Sequence, residues 1–473
     1  MRVHHAGQGS RHRRGCLKAA AREEPLTVSD GTGLAEALLG LPGFRVLEVR
    51  EDPAEVVIWV ETTVEVEGCS SCGVRAESQD RMPVEIRDLA CFGRPARLVW
   101  NKRRWRCREA LCAARTWTET HPEISSRVVL TRRAGMDACR QVGECARPVA
   151  GLAAELGVCW WTVMGAVREH GQPLVDDPAR VGRVRQLGVD ETSFLAATRD
   201  HPTLFATGLV DLQRHILIDM TEGNSAADLR RWCAAQDPEW LAKIKVVATD
   251  LTNSYRAGLS PHLDHVTRVA DPFHVVRAAN RCLDQVRRRV QQRELGHRGR
   301  KRDPLYRIRK VMLAGNERLD DRGRDRMLLG LRYGDPYDEV LGAWLAKENV
   351  RDVYLAPGRR AARTLLTKTI AGCAADDVEE IRTLGETLAN WKTEILAHHA
   401  TGASNGPTEG LNLCVKKVKR CGHGFRSFEN YRLRVLLHAG GITWPPPPPP
   451  PPHPAPPPPP VAVKPFFPPS AGG

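Results

Sequence analysis

Between Ser404 and Arg434 the chain reads SNGPTEGLNLCVKKVKRCGHGFRSFENYRLR, and one carboxylate, Glu409, opens a helix-like run there. Lys416, Lys417, Lys419 and Arg420 follow about two to three helical turns later, with Arg426 beyond them. A carboxylate holds a cation and neighbouring ammonium or guanidinium groups hold phosphates, so this pairing suits a site for metal ions and a phosphate backbone. Two more acids close apolar, strand-like runs upstream: Asp190 in RQLGVDETSF and Asp250 in KIKVVATDLTNSY. Three carboxylates in that order, the third within a basic helix, point to metal-dependent phosphodiester chemistry on DNA. Taken singly, each reads equally well as an ordinary strand-end or helix-start acid.

A second constellation is made of thiols. Cys69 and Cys72 (CSSC) pair with Cys107 and Cys112 (CREALC) across strand-like text. Two short-spaced thiol pairs on turns close a tetrahedral four-thiolate site, whose usual occupant is one structural Zn²⁺. Of the fourteen cysteines, Cys91 is a bystander in that module, and Cys139, Cys145, Cys159, Cys233, Cys282 and Cys373 read as small buried thiols in helices. No export signal is read, so disulfides are not expected.

The whole composition agrees with a polyanionic partner. Net charge is +14, which favours nucleic acid, although a cationic surface kept for solubility would look the same. No run of about 18 apolar residues exists, so no membrane span is expected, and the location implied is cytoplasmic and nucleoid-associated.

The elements that must position these groups follow from pattern. Residues 1–37 read as a disordered basic tail and 442–473, with their proline runs, as a second disordered tail. Residues 38–120 form the cysteine module, with a β-hairpin over Phe44–Glu65 turning at Glu51, Asp52 and Pro53. Residues 121–175 turn helical, with a break at Gly157 and a second helix from about Cys159 to Glu169. This is either a helix-turn-helix, whose second helix enters a major groove, or a plain helical hairpin. On the first reading Thr162 and Arg168 touch DNA, and at least one of Trp160 and Trp161 packs inward. Residues 183–276 give three consecutive strands and then β-α-β, the order of an RNase-H-like sheet, which brings Asp190 and Asp250 onto adjacent strands. Glu191 follows Asp190 but faces away on a strand. Residues 277–400 form an all-helical insertion that opens with many arginines. Of these, Arg287, Arg288 and Arg289 are expected to contact phosphates. Residues 401–441 return with the helix of Glu409. Asp271 and His274 follow the last strand. Asp271 reads as a helix N-cap with Pro272 at N1, and His274 as a DNA contact near the site. Lys416, Lys417, Lys419, Arg420 and Arg426 read as phosphate contacts, the alternative being a solvated face.

The cysteine module at 69–112, LGVDET, the Asp250 strand, VADPFHVV at 269–276 and SNGPTEGLN resemble, in order and wording, the bacterial insertion-sequence transposases of the ISL-three family. The resemblance runs from about Leu38 to Gly441. It implies a multidomain α/β fold: an RNase-H-like catalytic core, a mixed sheet with helices, carrying a helical insertion and preceded by a zinc ribbon and a helix-turn-helix. It implies a DDE triad of Asp190, Asp250 and Glu409 holding two Mg²⁺ per active site. The expected activity is binding of terminal inverted repeats in double-stranded DNA, then strand cleavage and transfer into a target by a homodimer or higher assembly. The alternatives are a catalytically inactive, transposase-derived DNA-binding protein and a nuclease of the same fold.

Overall fold

In the computed structural model residues 31–445 are described. The expected tails at 1–30 and 446–473 lie outside them. The boundaries of those tails differ from expectation: residues 31–37 belong to a helix, and Trp444 packs against the core beside Gly143. Two compact units result, one holding 31–86 and 97–120, the other 87–96 and 121–445.

The described residues begin with α1 (Gly31–Leu39) and continue as β1 (Phe44–Glu51), β2 (Val56–Thr62), β3 (Glu77–Cys91), β4 (Arg94–Arg106) and β5 (Thr116–Thr118), all in the first unit except the β3–β4 tip at 87–96. The sheet order is β1-β2-β4-β3, with β5 on the far part of β4. The first hairpin turns where expected, with the Asp52 carboxylate accepting from Ala54 N at 2.8 Å. Alternation along β2 buries Val56, Ile58 and Val60. Beneath them lies an ion cluster without a sequence signal: Glu61, buried, takes Arg45, Arg81 and Arg103 together. Burial alone would raise its carboxyl, but the three guanidinium groups outweigh that and hold it at about 2.

The second unit starts with α2 (Arg132–Gly143), α3 (Val149–Leu156), α4 (Trp160–Asp176) and α5 (Pro178–Val181). Gly157 ends α3 in the left-handed conformation at φ 64°, and the chain bends 107° into α4. The second helix runs seven residues past the expected Glu169, through Pro173.

Next come β6 (Gln186–Leu195), β7 (Leu204–Asp211), β8 (Ile216–Glu222), α6 (Ala226–Ala234), α7 (Pro238–Leu241), β9 (Val246–Thr249), α8 (Asn253–Leu259) and β10 (Thr267–Ala270). They make a sheet of order β10-β9-β6-β7-β8, antiparallel through β6, β7 and β8 and parallel through β6, β9 and β10. Period-two alternation divides its apolar residues between two faces. Val210, Met220, Val246 and Ala248 share a core with α2, α3 and α4, whereas Leu187, Val189, Leu209 and Val247 pack on α6 and α8. The helices of 121–175 therefore share a core with the sheet rather than forming a separate domain.

The helical segment consists of α9 (Pro272–Leu295), α10 (Pro304–Leu313), a 3₁₀ turn at Asn316–Arg318, α11 (Asp321–Gly334), α12 (Glu339–Leu355), α13 (Arg359–Ala374), α14 (Glu379–Asn390) and α15 (Lys392–Thr401). It has its own core of Val, Leu and Ile side chains. Arg256 of α8 lies 3.8 Å from the Trp391 ring and pairs with Glu394 at 2.6 Å, fastening this segment to the sheet domain. The chain then returns as α16 (Gly406–Cys421) and α17 (Phe428–Ala439). Tyr431 of α17 stacks on Phe194 at 5.0 Å, and Arg432 pairs with Asp219 of β8. Among the described residues no single helix is long and apolar enough to cross a membrane.

Candidate active site and metal centre

Strand register sets the site. Val189, Thr249 and Ala270 are partners across the three parallel strands β6, β9 and β10. The next residue in each is an aspartate, so Asp190, midway along β6 rather than closing it as expected, stands in a row with Asp250 and Asp271, which follow the carboxyl ends of β9 and β10. That edge is where open α/β sheets present ligand sites. Asp190 is 8% exposed. Its Oδ1 accepts from Glu191 N and its Oδ2 from Asn412 Nδ2, both at 2.8 Å. Burial chiefly raises its pKa, with the Asp250 charge adding to the effect. Asp250 Oδ2 accepts from Thr252 Oγ1 at 2.7 Å, while its Oδ1 is buried with no partner.

Asp271 stands at the N-cap position of α9, with Pro272 following as expected, but its side chain does not cap the helix. Its Oδ1 instead accepts from Asn405 N at 2.7 Å, and its Oδ2 lies 3.1 Å from His274 Nδ1. An ionised carboxylate only accepts, so Nδ1 carries the proton and Nε2 is left for the cleft that the ring lines. The Asp271 bond raises the His274 pKa against the effect of burial, and Asp190 and Asp250 raise it further.

The fourth acid arrives on α16. Asn405, fully buried, donates through Nδ2 to Val189 O at 3.2 Å and accepts from Thr408 Oγ1 at 2.5 Å. Gly188 makes this approach possible, because a Cβ there would meet Thr408 Oγ1 at 2.4 Å and Asn405 Oδ1 at 2.6 Å. Glu409 lies in the first turn of α16, and its carboxyl is raised chiefly by burial. Ligand atoms of Asp271, His274 and Glu409 all lie within 4.8 Å of one another. Asp190, Asp250, His274 and Glu409 line one cleft of about 660 Å³ together with Glu191, Arg277 and Lys416. Glu191, read from the sequence as facing away, sits on that wall with its carboxylate held by Asn224 Nδ2 at 2.7 Å.

In the first unit the four predicted thiols converge. Cys69 Sγ is 3.7 Å from Cys112 Sγ, Cys72 Sγ is 3.5 Å from Cys107 Sγ, and all four lie within 4.8 Å of one another. Zn–S bonds of about 2.3 Å at tetrahedral angles place sulfurs about 3.8 Å apart, so the donor set fits zinc. The Ser71 amide is the main cause holding the Cys69 thiol down at about 7.

Residues 187–435 match a family model described as a transposase, of the DDE type and the ISL3 group. The chain belongs to the ISL-three transposase family. Residues 65–112 also match the zinc-finger model of the transposases of IS204, IS1001, IS1096 and IS1165, in agreement with the thiol geometry. The chain is 24% identical over 414 residues to the transposase for insertion sequence element IS1001 of Bordetella parapertussis, spanning 85% of this chain and 97% of that one. It is 26% identical over 290 residues to the transposase for IS1557 of Mycobacterium tuberculosis, 56% of this chain and 63% of that one.

Within this transposase several expected contacts are placed elsewhere. Arg287 is 4% exposed and committed to Asp284 and Gln291, and Arg289 bridges Glu339 and Glu380. Arg287 is thus engaged within α9 and Arg289 ties α9 to α12 and α14, so neither is free for the expected phosphate contact. Arg288 remains exposed, though paired with Asp284 at 2.7 Å. Lys419 donates to Ser193 O at 2.7 Å, and Arg168 gives two bonds to Asn430 Oδ1, so both brace α16 and α17. Lys416, Lys417, Arg420 and Arg426 are exposed. Trp160 packs inward and Trp161 is 69% exposed. Thr162 is partly buried, its hydroxyl 3.2 Å from Cys159 Sγ. Cys145 and Cys159 are exposed rather than buried, since both fall at breaks between helices. Asn405 and Asn412 gave no reason to be singled out, although both belong to the string SNGPTEGLN.

Proposed function

We propose that this transposase binds the terminal inverted repeats of its element and cuts and joins DNA strands at the sheet-edge cleft, with Asp190, Asp250 and Glu409 as ligands for two Mg²⁺. The observation that carries this reading is the register that aligns the aspartates of neighbouring strands beside a helix-borne glutamate in a cleft walled by Arg277 and Lys416. Three antiparallel strands followed by two parallel ones support an RNase-H-like core. The buried, partnerless Asp250 Oδ1 suits a cation. Magnesium, when bound, supplies activation of the attacking oxygen and stabilisation of the leaving one.

The chain's own residues prepare that site. Asn412 fixes the rotamer of Asp190. Asp271 fixes the tautomer of His274, whose Nε2 exchanges a proton with an oxygen in the cleft. Arg277 and Lys416 hold the phosphate backbone. The 107° bend and three-residue turn between α3 and α4 support a helix-turn-helix, with Thr162 and Trp161 near the start of its second helix.

The test is strand cleavage of terminal DNA by Asp190→Ala, Asp250→Ala and Glu409→Ala proteins. Each is expected to lose cleavage by at least about 10³-fold while affinity for that DNA changes little, because affinity rests on cationic groups. Cleavage by any one of them at the wild-type rate overturns the triad.

A further inference from the structure

Two large apolar side chains stand exposed at the mouth of the same cleft. Phe273, on the first turn of α9, is 53% exposed, and Leu413, on α16, is 67% exposed. Both belong to the cleft lining. Neither belongs to the two cores that flank the cleft, and Phe273 meets the neighbouring His274 ring edge-on, with centroids 5.4 Å apart. An exposed aromatic beside a carboxylate site suits a partner that is flat, apolar on its face and brought there by a charged backbone.

The spacing of charge around them identifies that partner. Arg277 follows Phe273 by four residues and Lys416 follows Leu413 by three, so each helix presents an apolar group and, one turn on, a cation lining the same cleft. Stacking surface alternating with phosphate-binding charge is how proteins hold single nucleotides out of a duplex. We propose that Phe273 and Leu413 form a stacking clamp for one unpaired nucleobase next to the phosphate being cut. The clamp takes the base by its face, so it reads no base edge and accepts any of the four. The inference rests on the cleavage reading above and adds the local melting of DNA that brings a duplex phosphate to a recessed row of carboxylates.

The experiment uses the full chain and terminal duplexes carrying a fluorescent adenine analogue, bright once it leaves the stack of neighbouring bases, at each position flanking the cut. With wild-type protein the emission rises at one position, and Phe273→Ala abolishes the rise. Single-turnover cleavage by Phe273→Ala falls about tenfold, Phe273→Tyr restores it, and Leu413→Ala falls by a smaller factor. An abasic site at the reporting position removes the difference between Phe273→Ala and wild type, since no base remains to be held. Unchanged duplex affinity and an unchanged thermal melt show that the variants fold. Wild-type cleavage that needs Asp250 but is indifferent to Phe273 overturns the clamp and leaves the cleavage reading standing. An equal loss on intact and abasic DNA also overturns it. So does a change in the sedimentation of DNA-free protein on Phe273→Ala, which would assign the patch to a second copy of the chain. Cleavage that survives Asp250→Ala fails the underlying reading instead.

Discussion

At the scale of single residues, the acids of this chain divide into those held ionised by cations and those left short of partners. Glu61 is of the first kind: Arg45, Arg81 and Arg103 hold it at about 2, against an ordinary 4.5. Its folded pKa is depressed, so its contribution to stability is complete above about 4.5 and is lost as pH falls from there towards 2. Glu61→Gln should therefore destabilise the protein by about 3 kcal/mol at neutral pH, with the deficit shrinking as the solution is acidified through that window. Denaturant melts of both proteins at pH 7 and near pH 3 measure it. Asp250, with a bare buried oxygen, is of the second kind. The two kinds were not separable in the sequence, because a buried arginine partner leaves no local pattern. The row of strand acids, by contrast, was partly legible: the apolar run before Asp250 does end its strand, whereas β6 continues past Asp190 to Leu195, where Ser193 and Leu195 still pair with β7. Asp271 was misread as a cap because D-P at a helix start has that meaning locally, and only the Asn405 amide, 134 residues away, gives it another.

At the scale of elements, one contact governs whether the fourth acid reaches the others. The helix α16 lies against β6 only because Gly188 has no side chain where Thr408 and Asn405 approach. Gly188→Ala should cost roughly 1–3 kcal/mol and displace Glu409. Cleavage should then fall at least tenfold while DNA affinity stays near wild type; paired cleavage and binding assays check the split. The zinc ribbon is the other element whose existence hangs on a few atoms. Four thiols with a small surrounding core cannot hold its turns without the ion. Chelation should release about one zinc per chain and expose the segment around Cys69–Cys112 to proteolysis, leaving the second unit protected. Element types and order were readable from period and turns, including the strand order that brings β6 beside β9. What pattern could not show was tertiary: α2 to α4 sharing a core with the sheet, and α4 continuing through Pro173 because α17 packs along it.

At the scale of the whole molecule, a net charge of +14 suits a polyanionic partner but does not say where one would bind. The structure sorts the cations by what they already hold. Arg277 and Lys416 line the cleft, whereas Arg287 is buried on Asp284. Arg277→Ala and Lys416→Ala should each weaken binding to terminal and random DNA alike and lower the salt slope by about 1. Arg287→Ala should leave the slope unchanged and lower the melting temperature. Affinities at two salt concentrations, set beside a thermal melt, distinguish the two classes. The central claim is that Asp250 binds a metal ion which takes part in cutting, and a change of ligand chemistry tests it most directly. Magnesium accepts oxygen ligands almost exclusively, whereas manganese tolerates a thiolate. Asp250→Cys protein should bind terminal DNA normally, fail to cleave it in Mg²⁺ and recover cleavage in Mn²⁺. Equal cleavage by this variant and the wild type in Mg²⁺ would contradict the account.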